Sequence, residues 1–82
     1  MSHDYVIEID KLIVEKGEKQ GNYYRALLTS KEILERLGKP VVVTNHRYVR
    51  GIVERMYRDS VLEPIGGDGR NGWKFHIKVR VP

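Results

Sequence analysis

Cysteine is absent from this 82-residue chain, which removes disulfides and thiolate metal sites and is compatible with a reducing compartment. No apolar run approaches the roughly 20 residues of a membrane span, and the opening MSHDYVIEID lacks the basic start and apolar core of a signal peptide. A soluble, intracellular product with no membrane partner is expected, cytoplasmic and beside the nucleoid if the source is prokaryotic or viral. Internal repeats and low-complexity tracts are missing too, so residues 1–82 read as one domain. A chain of this size buries only roughly 60% of the surface its unfolded form exposes. Little room is left for a substrate cavity.

What the chain does have is charge, unevenly placed. Residues 1–41 carry seven Lys/Arg and seven Asp/Glu, whereas residues 42–82 carry eight against four and supply the whole formal +4. The basic residues recur at helical spacing in NHRYVRGIVERMYRDS and at strict alternation in WKFHIKVRV. A basic helix followed by a basic-faced strand is the footprint of a surface that meets polyanions, nucleic acid first among them.

Apolar residues at Tyr5, Val6, Ile9, Leu12 and Ile13 recur at three and four, which favours an amphipathic helix over Asp4–Lys16. The β-branched VIEI and LIV leave a strand as the alternative. Glu18 to Asn22 reads as a solvated loop, and Tyr23 to Leu28 as a short isolated strand. Thr29-Ser-Lys-Glu32 is a capping box, so a second helix starts there, and Gly38 with Pro40 stops it. The connector KPVVVTN ends in Thr44 and Asn45, either of which can cap a third helix. At about 100° per residue, Val49, Ile52, Val53 and Met56 gather on one side of that helix, and Arg47, Arg50, Glu54 and Arg58 on the other.

Val61 to Ile65 and Trp73 to Val81 read as a hairpin around a turn rich in Asp-Gly and Asn-Gly pairs. Trp73, Phe75, Ile77, Val79 and Val81 share one face of the return strand, and Lys74, His76, Lys78 and Arg80 the other. The order of elements, with TSKEILERLG as second helix, NHRYVRGIVERMYRDS as third and VLEPIGGDGRNGWKFHIKV as wing, resembles the winged helix-turn-helix superfamily of DNA-binding domains. The resemblance implies an α+β fold of three helices with a C-terminal β-hairpin wing. It also implies a transcriptional regulator that lays its third helix in the major groove of double-stranded DNA.

Carried over by position, the resemblance makes Asn45, His46, Arg47 and Arg50 the reading residues, with Thr44 and Tyr48 beside them. Arg55 and Arg58 would meet phosphate, Arg70 and Asn71 would sit at the wing tip, and Lys74 and Lys78 would follow on the hairpin. A homodimer through the first helix and Tyr23 and Tyr24 is a further expectation. The runner-up class is a module that binds a protein component of a transcription or replication machine, and RNA binding is third.

Blander readings stand beside these. Arg50–Glu54 and Glu54–Arg58 are (i, i+4) pairs that stabilise an exposed helix, yet one glutamate cannot neutralise three arginines. Gly51, in mid-helix, reads equally as a close-approach point or as a tolerated weak position. Gly67-Asp-Gly69-Arg-Asn-Gly72 matches a dinucleotide-binding pattern, but a strand follows where a helix is needed, so it reads as a turn. Trp73 and Tyr48 invite base stacking; Trp73 belongs to the apolar face, while Tyr48 and Tyr57 border the arginine face. His3, His46 and His76 stand apart without ligand spacing, so neither metal nor cofactor is expected. No nucleophile motif is present, and an enzyme is not expected.

Overall fold

The computed structural model describes residues 2–80; Val81 and the His3 side chain lie outside the described residues. Helix α1 (Ser2–Lys16) follows the three-and-four spacing rather than the β-branched composition, because only a helix puts Tyr5, Ile9, Leu12 and Ile13 together in the core. Its amide-accepting end is closed by Gly17, whose N–H donates to the Ile13 carbonyl at 2.8 Å.

Residues expected to form a loop are instead a hairpin. Strand β1 (Glu18–Gln20) pairs antiparallel with β2 (Tyr23–Thr29) across a two-residue Gly21-Asn22 turn, with Gly21 at φ 61. All three β1 residues are exposed and polar, so no alternation advertised the strand. The Gly-Asn turn was the available signal.

Helix α2 (Ser30–Arg36) begins with the expected capping box, Thr29 and Glu32 each satisfying the other's backbone amide. It ends in a Schellman arrangement, with Gly38 at φ 68, its N–H on the Glu35 carbonyl and the Lys39 N–H on Leu34. The connector then runs exposed through Val41 and Val42. Helix α3 (Val43–Met56) starts before Thr44 and Asn45, with Val42 at the N-cap and no side-chain cap. Asn45 reaches back instead, its Nδ2 donating to the Pro40 carbonyl at 2.8 Å. Val49, Ile52 and Val53 are buried as expected, whereas Met56 is exposed. The helix ends at Met56, and Tyr57 swings into the core in its place, donating its hydroxyl to Asp10.

Strand β3 (Val61–Pro64) leads through a 3-10 turn at Ile65–Gly67 into β4 (Trp73–Arg80). The expected antiparallel hairpin is present, but β4 does more than return beside β3. The sheet order is β1-β2-β4-β3, so β4 is an interior strand that pairs with β2 from Tyr23↔Arg80 to Thr29↔Lys74. The strand expected to be isolated, β2, is therefore the other interior strand. Phe75, Ile77, Ala26 and Leu28 turn inward to the helices, and the alternating positions turn outward. The result is an α+β fold of three helices packed on one face of a four-stranded antiparallel sheet.

Candidate nucleic-acid interface

Arg47, Gly51 and Arg55 are spaced by one turn each and form the midline of the outward face of α3. Thr44 is exposed on the same face. Neither Arg47 nor Arg55 has an ion-pair partner among the described residues. A Cβ on Gly51 would meet only the Arg55 guanidinium, at 3.4 Å, so internal packing gives no reason for glycine there. Tyr48 is exposed at one border of this face, its ring edge-on to Tyr5 with centroids 5.2 Å apart. Packing of α3 against α1 accounts for that position.

Three expected reading residues are engaged elsewhere. His46 is 2% exposed, and its Nδ1 lies 2.7 Å from the Oγ of Ser30, itself 0% exposed. The Trp73 amide donates to the same Oγ at 2.9 Å. A neutral imidazole accepting at Nδ1 gives the serine proton a partner, and burial pushes the histidine below its ordinary value of 6.5. This polar knot ties α2, α3 and β4 together, and it admits no side chain at residue 72. Gly72 has φ 103, and a Cβ there would stand 2.6 Å from Ser30 Oγ and 2.9 Å from the His46 ring.

Arg50 is half-buried, its guanidinium 4.9 Å from the centre of the Trp73 ring and its Nε 3.6 Å from Glu54. The indole also meets the β3–β4 turn, where a Cβ on Gly69 would come within 2.9 Å of the ring. Trp73 thus packs at the base of the β3–β4 hairpin, in contact with both α3 and the turn. Asn45 is occupied with Pro40, as described. The arginine face is therefore narrower than its sequence spacing suggests, and it is rotated toward Arg55.

Arg58 lies beyond α3 in a turn rather than on its outward face. At the tip of the β3–β4 turn Arg70 and Asn71 are exposed. Asp68 shapes that tip by accepting from the Arg70 amide at 2.9 Å and standing 3.6 Å from its guanidinium. Ile65 and Gly72 close the turn backbone to backbone at 2.9 Å. The glycine pattern 67–72 is thus a structured turn followed by a strand, as read.

Lys74 and Lys78 do not join the α3 face. They share the outward side of β4 with His76 and Arg80, and Arg25 and Leu27 lie beside them on β2. Because the inward side of the sheet is covered by the helices, this basic strand face points away from them. Lys78 holds its ammonium 4.3 Å from the centre of the Tyr23 ring. An open depression of about 370 Å³ lies on this side, lined by Arg25, Leu27, Asp59, Val61, His76 and Lys78 among others. Periodicity announced each basic face separately; nothing in it told that packing would set them apart.

The residues expected at a dimer surface are largely spent on the core. Tyr5, Ile9, Leu12 and Ile13 of α1 are buried and Tyr24 is packed against them, leaving Ile7, Val14 and Tyr23 outside. Among the described residues, no helix is long and apolar enough to cross a membrane, and no group of three His, Cys, Asp or Glu is arranged to hold a metal. Comparison of the chain with protein-family models, curated proteins and solved structures finds no match.

Proposed function

We propose that this chain is a winged helix-turn-helix domain that binds double-stranded DNA as a transcriptional regulator, with α3 in the major groove and the wing turn on the adjacent backbone. The observation that carries the reading is the outward face of α3, where Arg47 and Arg55 flank Gly51 with no carboxylate partner among the described residues. Two exposed guanidiniums without carboxylates, one turn to either side of a glycine, leave a polyanion two free cations and a close approach to the helix backbone. The order helix, strand, helix, helix, strand, turn, strand agrees with the proposal, with β1 as an addition to it.

Within this reading Arg47 is the base-reading residue, since a guanidinium in the first turns of a groove-bound helix can grip guanine edges. Arg55 and Arg58 follow toward the phosphates, and Arg70 with Asn71 meets the backbone from the wing tip. His46 and Arg50 act indirectly, by holding helix and wing in one piece. The test is a fluorescence anisotropy titration with duplex DNA at several salt concentrations. Three phosphate-contacting cations, each releasing roughly 0.9 counterion, give a log-log salt slope of about −2.7. Undetectable binding at about 50 mM salt, where such contacts are strongest, removes the proposal.

A further inference from the structure

We propose that the outward face of the sheet is a second binding site, which seats an apolar side chain of an acidic partner-protein segment between Leu27 and Val61 and its carboxylates on Arg25 and Lys78. The inference goes beyond the duplex reading, because this face points away from the helices and from α3.

Three observations meet there. Arg25 and Lys78 are direct cross-strand partners on one face, an arrangement of like charges that costs stability and that an arriving anion relieves. Leu27, His76 and Val61 form the neighbouring cross-strand row, with Leu27 55% and Val61 63% exposed. Both rows open onto the same 370 Å³ depression. Exposed Leu27 and Val61 on either side of His76, together with two cations lining the same hollow, describe a ligand that is itself apolar and anionic.

One acidic group lines the depression and two more stand beside it. Asp59 stands on one wall of the depression, Glu18 is across from Arg25 on β1, and Glu63 lies 3.3 Å from the His76 ring. Neither Arg25 nor Lys78 forms an ion pair among the described residues. Lys74 and Arg80 extend the cationic border along β4.

The chemistry selects among occupants. A phosphate backbone gains nothing from exposed leucine and valine, and the two rings on this face, Tyr23 and His76, are already engaged by the Lys78 ammonium and by Glu63, so neither is a free base-stacking platform. A second copy laid face to face would set Arg25, Lys74, Lys78 and Arg80 against their own kind. A protein segment with carboxylates flanking an apolar residue meets both requirements.

The test uses the full 82-residue chain, isotopically labelled, with a synthetic Asp-Glu-Leu-Asp-Glu peptide, its serine counterpart, oligothymidylate and duplex DNA as separate probes. The leucine peptide is expected to shift the backbone amides of Arg25, Leu27, Val61, His76 and Lys78, and the serine peptide to bind about tenfold more weakly. Leu27→Ser is expected to weaken the leucine peptide by about tenfold and leave duplex affinity unchanged. Lys78→Glu sets opposite charges across from Arg25, so it should keep or raise the melting temperature while abolishing peptide binding. Peptide shifts on α3, full affinity in Leu27→Ser, no peptide binding, or tighter oligothymidylate binding at the same amides would each overturn the site. So would a dimer in sedimentation that buries this face. The parallel duplex titration keeps such a failure separate from failure of the duplex reading.

Discussion

On the α1–α2 surface, every cation but Lys31 has company. Lys11 pairs with Glu8, Lys16 with Glu32, and Arg36 with both Glu8 and Glu15, the latter at 2.7 Å. From α3 to β4 the pattern reverses: Arg47, Arg55, Arg58, Lys74, Lys78 and Arg80 have no ion-pair partner among the described residues, while Arg50 and Arg70 pair only with near neighbours in sequence. Both surfaces are exposed and both are rich in long charged side chains. The first surface pairs most of its cations and the second does not, and the proposed duplex contact rests on that difference rather than on the net charge.

The largest effect is expected at the seam between the two regions. Gly72→Ala forces a side chain into a left-handed backbone position and against Ser30 and His46, and should cost about 3 kcal/mol or more in denaturant unfolding. An unchanged unfolding midpoint would mean that the knot does not hold α2 and α3 to β4.

Next come paired substitutions that set the two surfaces against each other. Arg47→Ala and Arg55→Ala should each lose about 1 to 3 kcal/mol of duplex affinity, with thermal stability changed by no more than about 0.5 kcal/mol. For Arg47→Ala the loss should depend on the base sequence. Arg36→Ala should do the opposite, lowering the melting temperature in a salt-sensitive way and leaving duplex affinity alone, because Arg36 holds α2 to α1. Equal behaviour of all three variants in parallel melts and titrations would erase the distinction between the surfaces.

A smaller change sharpens it. Gly51→Ala should stabilise the chain by up to about 1 kcal/mol, since alanine is the better helix former and only the flexible Arg55 guanidinium stands in its way. If a duplex approaches the helix backbone at this point, the same substitution should weaken binding. Opposite signs in melting and in titration are the expected result.

The smallest effect is a slope with pH. Burial holds folded His46 below 6.5, so the unfolded chain binds the proton more readily. Stability is therefore full above 6.5 and falls as the pH drops below it toward the folded value. His46→Asn should flatten that part of a melting-temperature profile. A separate acid loss, from Glu15 held below 4.5 chiefly by its hydrogen bond from Arg36, begins at lower pH and should remain.

Elements whose residues announce themselves by period or by cap could be read in advance: α1 from its three-and-four spacing, α2 from the Thr29–Glu32 box, β4 from unbroken alternation. β1 is signalled only by its Gly21-Asn22 turn, because Glu18, Lys19 and Gln20 carry no apolar side to alternate. The start of α3 was misread for the converse reason. Thr44 and Asn45 are good capping residues, but the helix began at Val43 with a backbone-only cap. His46 was mistaken for a surface residue on its polarity, although it stands three residues before Val49 and seven before Val53, on the buried stripe. The separation of the basic residues into two faces is a property of tertiary packing. Local spacing carries no trace of it.

The place of β4 in the sheet also sets a timetable. It comes after every other element in the chain, yet it lies between β2 and β3 and brings Phe75 into the core. Until it emerges, β2 has only the short β1 beside it, and the inward faces of the helices have no complete floor to close on. Loop closure between Tyr23 and Arg80 must then be made late and at long range, which slows folding relative to a purely helical chain of this size. During synthesis the half-built domain would expose Leu28, Ile33 and Val53 for as long as translation takes to reach Trp73. That interval is its period of greatest exposure to aggregation and to chaperones.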